Sequence, residues 1–156
     1  MIKLLSNQKS RRNFGFTMIE LLVVVAIIGM LVSVIMVSFD NSRRRSRDAR
    51  RLSDMNQIKS GLDLYFLHGA GYPPTSSWVA GSLLVCNGVQ MLRIPQDILS
   101  GFSYIYVEGG TTSPSPCGGN AHSNYYVQFA TEGETHLGPP GTYYMHPGGI
   151  SSTAPF

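Results

Sequence analysis

The chain has 156 residues, 43% of them hydrophobic and only 13% charged, with a formal net charge of +3 and two cysteines. That length leaves room for one modest domain and a membrane segment. The positive charge is no argument for a polyanion partner: Lys3, Lys9, Arg11 and Arg12 precede residue 16 with no acid among them, and the side chains after it sum to 3 − 4 = −1.

The basic start runs into Leu21–Val37, LLVVVAIIGMLVSVIMV, which carries no charge and only Ser33 as a polar side chain. Taken from Phe16 to Phe39 the apolar stretch spans ~30 Å of hydrocarbon as a helix. Glu20 is its one charge. A charge there costs ~2.5–3.5 kcal/mol on insertion scales, so it normally has a partner and a task. A basic region before an apolar run is the layout of a secretory signal. Such a signal is cut after its apolar run, but the positions around Ser38 lack the Ala-x-Ala form. Gly15 lies before the run, where a cut would leave the apolar segment on the mature chain. The new α-amino group of Phe16 would then offset the desolvation of a Glu20 carboxylate on a second chain. The competing reading is a plain single-pass anchor in which Glu20 has no role.

Residues 14–22, Phe-Gly-Phe-Thr-Met-Ile-Glu-Leu-Leu, resemble the prepilin signal of type IV pilins and type II secretion pseudopilins. The resemblance implies that a prepilin peptidase cuts between Gly15 and Phe16 and methylates Phe16, and that Glu20 steers each subunit into a growing filament. It also implies an α+β fold, in which a long N-terminal helix, apolar then amphipathic, packs on a small antiparallel sheet. The expected divisions are a leader over 1–15, a membrane and filament-core helix over 16–39, an amphipathic half over 40–68 and a head over 69–156. Many members of the family carry a proline where this chain has Val37.

After the apolar run, Arg43, Arg44, Arg45, Arg47, Arg50 and Arg51 crowd together against Asp48 alone. By the positive-inside rule such a collar favours the cytoplasmic side, in conflict with an exported head; the cleavage motif and the cysteines decide for export. The collar has three readings: lipid head groups, acids on neighbouring subunits, or nucleic acid. The first two are favoured, since no aromatics interleave the arginines to stack on bases. Leu52, Met55, Ile58, Leu62 and Tyr65 then recur at spacings of three and four, with Phe66 beside them, as one face of an amphipathic helix. His68-Gly69-Ala70-Gly71-Tyr72-Pro73-Pro74 stops it, with glycine as the C-cap and His68 near the carbonyl pole.

Strands are expected at 102–107, 124–131 and 142–146, a loop at Thr111–Pro116 with Ser113 or Ser115 open to glycans, and a frayed end over 147–156. In the second strand Tyr125, Val127 and Phe129 alternate with Tyr126 and Gln128, as on a half-covered sheet. Two stretches, Arg47-Asp48-Ala49-Arg50-Arg51-Leu52 and Ile94-Pro95-Gln96-Asp97, are similar to segments of the major type II pseudopilins, although Ile98 stands where those have proline.

In an oxidising compartment Cys86 and Cys117 would pair and close a loop of ~30 residues, worth ~3–4 kcal/mol by chain entropy. A buried pair of free thiols is the alternative. Neither cysteine sits in a Cys-x-x-Cys pair. His68, His122, His136 and His146 show no ligand spacing, and no nucleophile elbow or phosphate loop occurs, so the protein is read as no enzyme. Glu132, Glu134 and His136 alternate and would share a face of a strand, which makes Glu132 and Glu134 weak candidates for calcium. That ion wants six to eight oxygens, so an exposed turn is the favoured reading and no cofactor is expected.

The resulting expectation is a structural subunit of a helical homo-oligomeric filament, of the type II secretion pseudopilin kind. Its partners would be the prepilin peptidase, an inner-membrane assembly platform, other pilins and membrane lipid. The location is a single-pass cytoplasmic (inner) membrane protein with an external head, assembled into a periplasmic or cell-surface filament. The alternative is a type IV pilin, major or minor, in adhesion, motility or DNA uptake.

Overall fold

The computed structural model describes residues 15–156, which fall into two units, one ending at Phe39 and one running from Asp40 to Phe156. The expected leader otherwise lies outside the described residues. A single helix, α1, occupies Met18–Gly69 and contributes to both units. It starts two residues later than Phe16 because Gly15, Phe16 and Thr17 are not helical. Within the first unit Leu21, Val25, Ile28, Leu31 and Ile35 are all exposed, so the chain covers none of this apolar surface itself. One window of the helix is long and apolar enough to cross a membrane, with a mean hydropathy of 3.0. Position 37 is helical, and the helix continues without the break that a proline would impose there.

In the second unit the stripe at spacings of three and four faces inward. Met55, Ile58, Leu62 and Tyr65 are at most 3% exposed, while Asn56 and Ser60 face solvent. They pack with Tyr106, Tyr125, Val127, Phe129, Tyr143 and Met145 in one apolar cluster. Those partners lie on a four-stranded antiparallel sheet in sequential order: β3 (Ile105–Pro114), β4 (Asn120–Thr131), β5 (Gly141–His146) and β6 (Gly149–Ser151). A separate hairpin, β1 (Leu83–Cys86) and β2 (Val89–Arg93), adds Leu84, Met91 and Leu92 to the same cluster. Its turn, Asn87-Gly88, holds φ of 49° and 78°, the paired positive values of a two-residue hairpin turn. Helix and antiparallel sheets together make the α+β fold anticipated above.

The alternation along β4 is the expected one: Tyr125, Val127, Phe129 and Thr131 are buried and the residues between them are half-exposed. Three details differ from expectation. Strand β3 continues through Thr111–Pro114, where a loop was expected, after an irregularity between Gly109 and Thr112. Pro114 is tolerated because β3 is an edge strand and needs no donor on its free side. Residues 149–151 form β6 rather than fraying, since Met145 and Ile150 pair across the β5–β6 turn. The β1–β2 hairpin escaped notice because exposed Leu83, Val85 and Val89 blur its in–out alternation.

Cys86, at the end of β1, is joined by a disulfide to Cys117 in the β3–β4 connection, with the Cα atoms 4.7 Å apart. The helix end packs against this bond: a Cβ on Gly69 would lie 2.8 Å from Cys117 Sγ. Gly69 is therefore needed for close approach, and the left-handed residue after the helix is Ala70, at φ 56°, in place of the glycine expected there.

Gly61 is the other close approach, since a Cβ there would stand 2.5 Å from Leu92 Cβ. Gly61→Ala is expected to push β2 off the helix and destabilise the second unit by about 1–3 kcal/mol. Urea unfolding of the full chain in detergent, followed by near-ultraviolet circular dichroism, measures this; an unchanged midpoint would contradict the close packing.

Candidate functional site

The first candidate site is the start of α1. Gly15 and Phe16 precede the helix in non-helical backbone, and Phe16 is 79% exposed. Thr17 is the N-cap: its Oγ1 accepts from the Glu20 backbone N–H at 3.2 Å, and its carbonyl accepts from Leu21 N–H. Threonine three residues before glutamate is the capping-box pattern, a signal in the sequence that went unread. Glu20 lies in the first turn, where the free N–H groups favour a negative charge. The geometry thus offers a non-helical, accessible Gly15–Phe16 bond and an exposed carboxylate one turn beyond it.

The second site was not legible as one. Six arginines looked like a solvated collar, but two of them turn inward. Arg51 is 2% exposed. Its Nε and Nη2 donate to both oxygens of Asp97 at 2.6 and 3.2 Å. Its Nη1 donates to Asp48 at 2.9 Å and to Glu132 at 2.8 Å. The guanidinium carbon also stands 4.1 Å from the ring centre of Phe102. Arg47 closes the cluster with two bonds to Glu132, at 2.8 and 2.5 Å. Asp48 accepts in turn from the backbone N–H groups of Glu132 and Gly133, the first residues past β4. Two guanidinium groups therefore meet three carboxylates, and every bond crosses between helix, loop and sheet except the one from Arg51 to Asp48. Arg43, Arg44, Arg45 and Arg50 remain exposed.

Charge and burial compete inside this cluster. Burial pulls the Arg51 guanidinium down, but the bonds to Asp97, Glu132 and Asp48 outweigh it and leave it well above the usual range. Burial pushes Asp97 up, and Arg51 together with the Leu99 N–H brings it below the ordinary carboxylate value. The Arg47 bonds are the main reason that Glu132 falls from 4.5 to about 2. Beside the cluster, burial and then the bond to Asp54 at 2.8 Å hold the Tyr104 hydroxyl protonated far above its usual range.

The residues suggested for calcium do not fit it. Glu132 gives both oxygens to guanidinium groups, so a cation would meet two fixed positive charges. His136 sits in the turn closed by Thr135 and Gly138 and Glu134 just precedes it, so neither shares a strand face with Glu132. Among the described residues no group of three His, Cys, Asp or Glu side chains could hold a metal ion. Ser115, one of the two glycan candidates, spends its hydroxyl on the Gly69 carbonyl and the Cys117 N–H, while Ser113 stays exposed.

Residues 10–36 match the family model described as the prokaryotic N-terminal methylation motif. Type II secretion system core protein G of Dickeya chrysanthemi is 34% identical over 65 residues, 42% of this chain and 42% of that protein. The same protein from Vibrio cholerae is 31% identical over 68 residues, 44% of this chain and 47% of its own. The type IV major fimbrial protein FimA of Dichelobacter nodosus is 35% identical over 75 residues, 47% and 48% of the two chains. The chain thus spans less than half the length of these curated relatives. No solved structure matches.

Glu132 binds its proton far less readily in the folded chain than at 4.5. Its stabilisation is therefore complete above pH 4.5 and is lost as the pH falls toward about 2. Asp97, lowered as well, adds a loss of the same sign. Unfolding free energy measured in urea across this interval should decline in the wild type and decline less in Glu132→Gln. Arg51→Ala, which leaves Asp97 without a guanidinium partner and takes one bond each from Asp48 and Glu132, is expected to cost about 3–5 kcal/mol at neutral pH.

Proposed function

We propose that this chain is a structural subunit of a type IV pilus-like filament, of the type II secretion pseudopilin kind, drawn from a membrane pool after its leader is removed. The observation that carries the reading is the helix start: a capped, unbroken apolar helix whose only charge up to Phe39 is Glu20, just after a non-helical, exposed Gly15–Phe16 bond. The methylation motif over 10–36 and the relatives named type II secretion system core protein G support it.

In this reading the prepilin peptidase cuts after Gly15 and methylates Phe16, leaving 16–39 as the membrane and filament-core helix, 40–68 as the amphipathic half and 69–156 as the head. The subunit waits as a single-pass inner-membrane protein with the head outside, consistent with its disulfide. Glu20 of an incoming subunit meets the N-terminal amine of Phe16 on its neighbour at the assembly platform, which compensates a carboxylate in an apolar setting. Apolar side chains that find no cover within one chain then leave lipid for the helices of other copies. The role is structural, with no reaction catalysed. Internal pairing of Arg47 and Arg51 eases the topology conflict, because it leaves four exposed arginines in place of six. Those four suit head groups or acids of adjacent subunits. The 35% identity to a fimbrial protein favours one further reading, a type IV pilin in a surface fibre.

The mature N-terminus decides the processing step. Intact-mass and peptide mass spectrometry should find a chain beginning at methylated Phe16; a retained leader, or a cut beyond Phe39, would refute it. Glu20→Ala should leave a stable membrane protein whose incorporation into sheared filaments drops at least about tenfold, the scale of 1.4 kcal/mol. Normal incorporation would remove Glu20 from assembly.

A further inference from the structure

The outward face of the four-stranded sheet has a composition that neither the core nor filament assembly explains. In one row across all four strands, Ile105 pairs with Gln128, Gln128 with Tyr144 and Tyr144 with Ser151. Tyr126 lies diagonally beside this row, its ring 5.5 Å from that of Tyr144 in an edge-to-face contact. Phe156 adds a third ring, 5.1 Å from Tyr126. It fits because Gly109 has no side chain: a Cβ there would collide with the Phe156 ring. All of these residues are half-buried or exposed, whereas their strand neighbours Tyr106, Tyr125, Val127 and Met145 are buried.

The outward strand positions of β3 before its irregularity (105, 107 and 109), of β4 (124, 126, 128 and 130) and of β5 (142, 144 and 146) contain no Lys, Arg, Asp or Glu. His146 uses its Nδ1 to accept from the Gly148 N–H. A polyanion such as nucleic acid needs phosphate-neutralising cations, and this face supplies none. A purely apolar partner would have to strip water from the Gln128 amide and two phenol hydroxyls at its centre. What fits is a neutral polymer with C–H faces for the rings and hydroxyls for the amide and phenols. We propose that the outer face of the β3–β6 sheet binds an uncharged polysaccharide, with the rings of Tyr126, Tyr144 and Phe156 as the apolar contacts and Gln128 and Ser151 as the polar ones. The site does not depend on the filament reading.

The test uses the full chain in a sugar-free detergent, with cellohexaose and maltohexaose as neutral probes and heparin and oligothymidylate as charged ones. Saturation-transfer NMR should show transfer from the protein to the ring C–H protons of at least one neutral probe. Affinity should fall at least about tenfold in Tyr144→Ala. Ile105→Lys, at a side chain 47% exposed on an edge strand, should weaken it similarly without disturbing the core. Near-ultraviolet circular dichroism checks folding, and Ile105→Lys carries the test alone if Tyr144→Ala is misfolded. No transfer to either neutral hexasaccharide, transfer to the charged probes only, or undiminished affinity in the folded variants would overturn the proposal.

Discussion

Arg51 holds three separated stretches of chain to one guanidinium. Asp48 belongs to its own helix, Asp97 follows β2, and Glu132 follows β4, so the angle and register of helix against sheet are set where these groups converge. Apolar packing through Met55, Ile58, Leu62 and Tyr65 supplies the larger share of burial, yet it is tolerant of sliding by a turn. A planar donor facing carboxylates at fixed distances is not. Buried ion pairs replaced whole by well-packed apolar residues generally cost little stability, while losing one partner leaves charge stranded. The same groups explain why Gly61 can touch Leu92 and Gly69 can touch Cys117: with the upper helix pinned, the lower turns have one approach available.

Much of this was readable from periodicity. The stripe from Leu52 to Tyr65, the alternation over 124–131 and the break after His68 depend on local pattern, and local pattern survives in the folded chain. What was not readable depended on residues far apart in sequence meeting. Nothing near Arg51 distinguishes it from Arg50, which differs only by a 100° step around the helix and stays exposed. The stretches 47–52 and 94–97 are far apart in sequence, and Arg51 and Asp97 join them in a contact that neither stretch shows by itself. Strand β3 was cut short because Gly109, Gly110 and Pro114 resemble loop residues, although an edge strand accommodates them.

The candidate site at the helix start was legible for the opposite reason: it is contiguous. The Gly15–Phe16 bond, the cap and the carboxylate lie within six residues, from Gly15 to Glu20. Only Thr17 was missed, and its role follows from the cap geometry. Capping places the helix boundary after the Gly15–Phe16 bond, so that bond lies in non-helical backbone. It also keeps Phe16 outside the helix, with Glu20 in the first turn.

The disulfide has a mechanical consequence for the second unit if its chain is pulled. Cys86 and Cys117 are 31 residues apart in sequence, and the segment between them contains the whole of β2 and β3. If the head were stretched along its chain, that segment could not pay out, which withholds about 100 Å of contour length at ~3.4 Å per residue. A load would extend only the residues outside the bridge, and on relaxation the captured strands would still be close to their partners. Oxidation of this one pair therefore limits how far the head can be drawn out and shortens its way back.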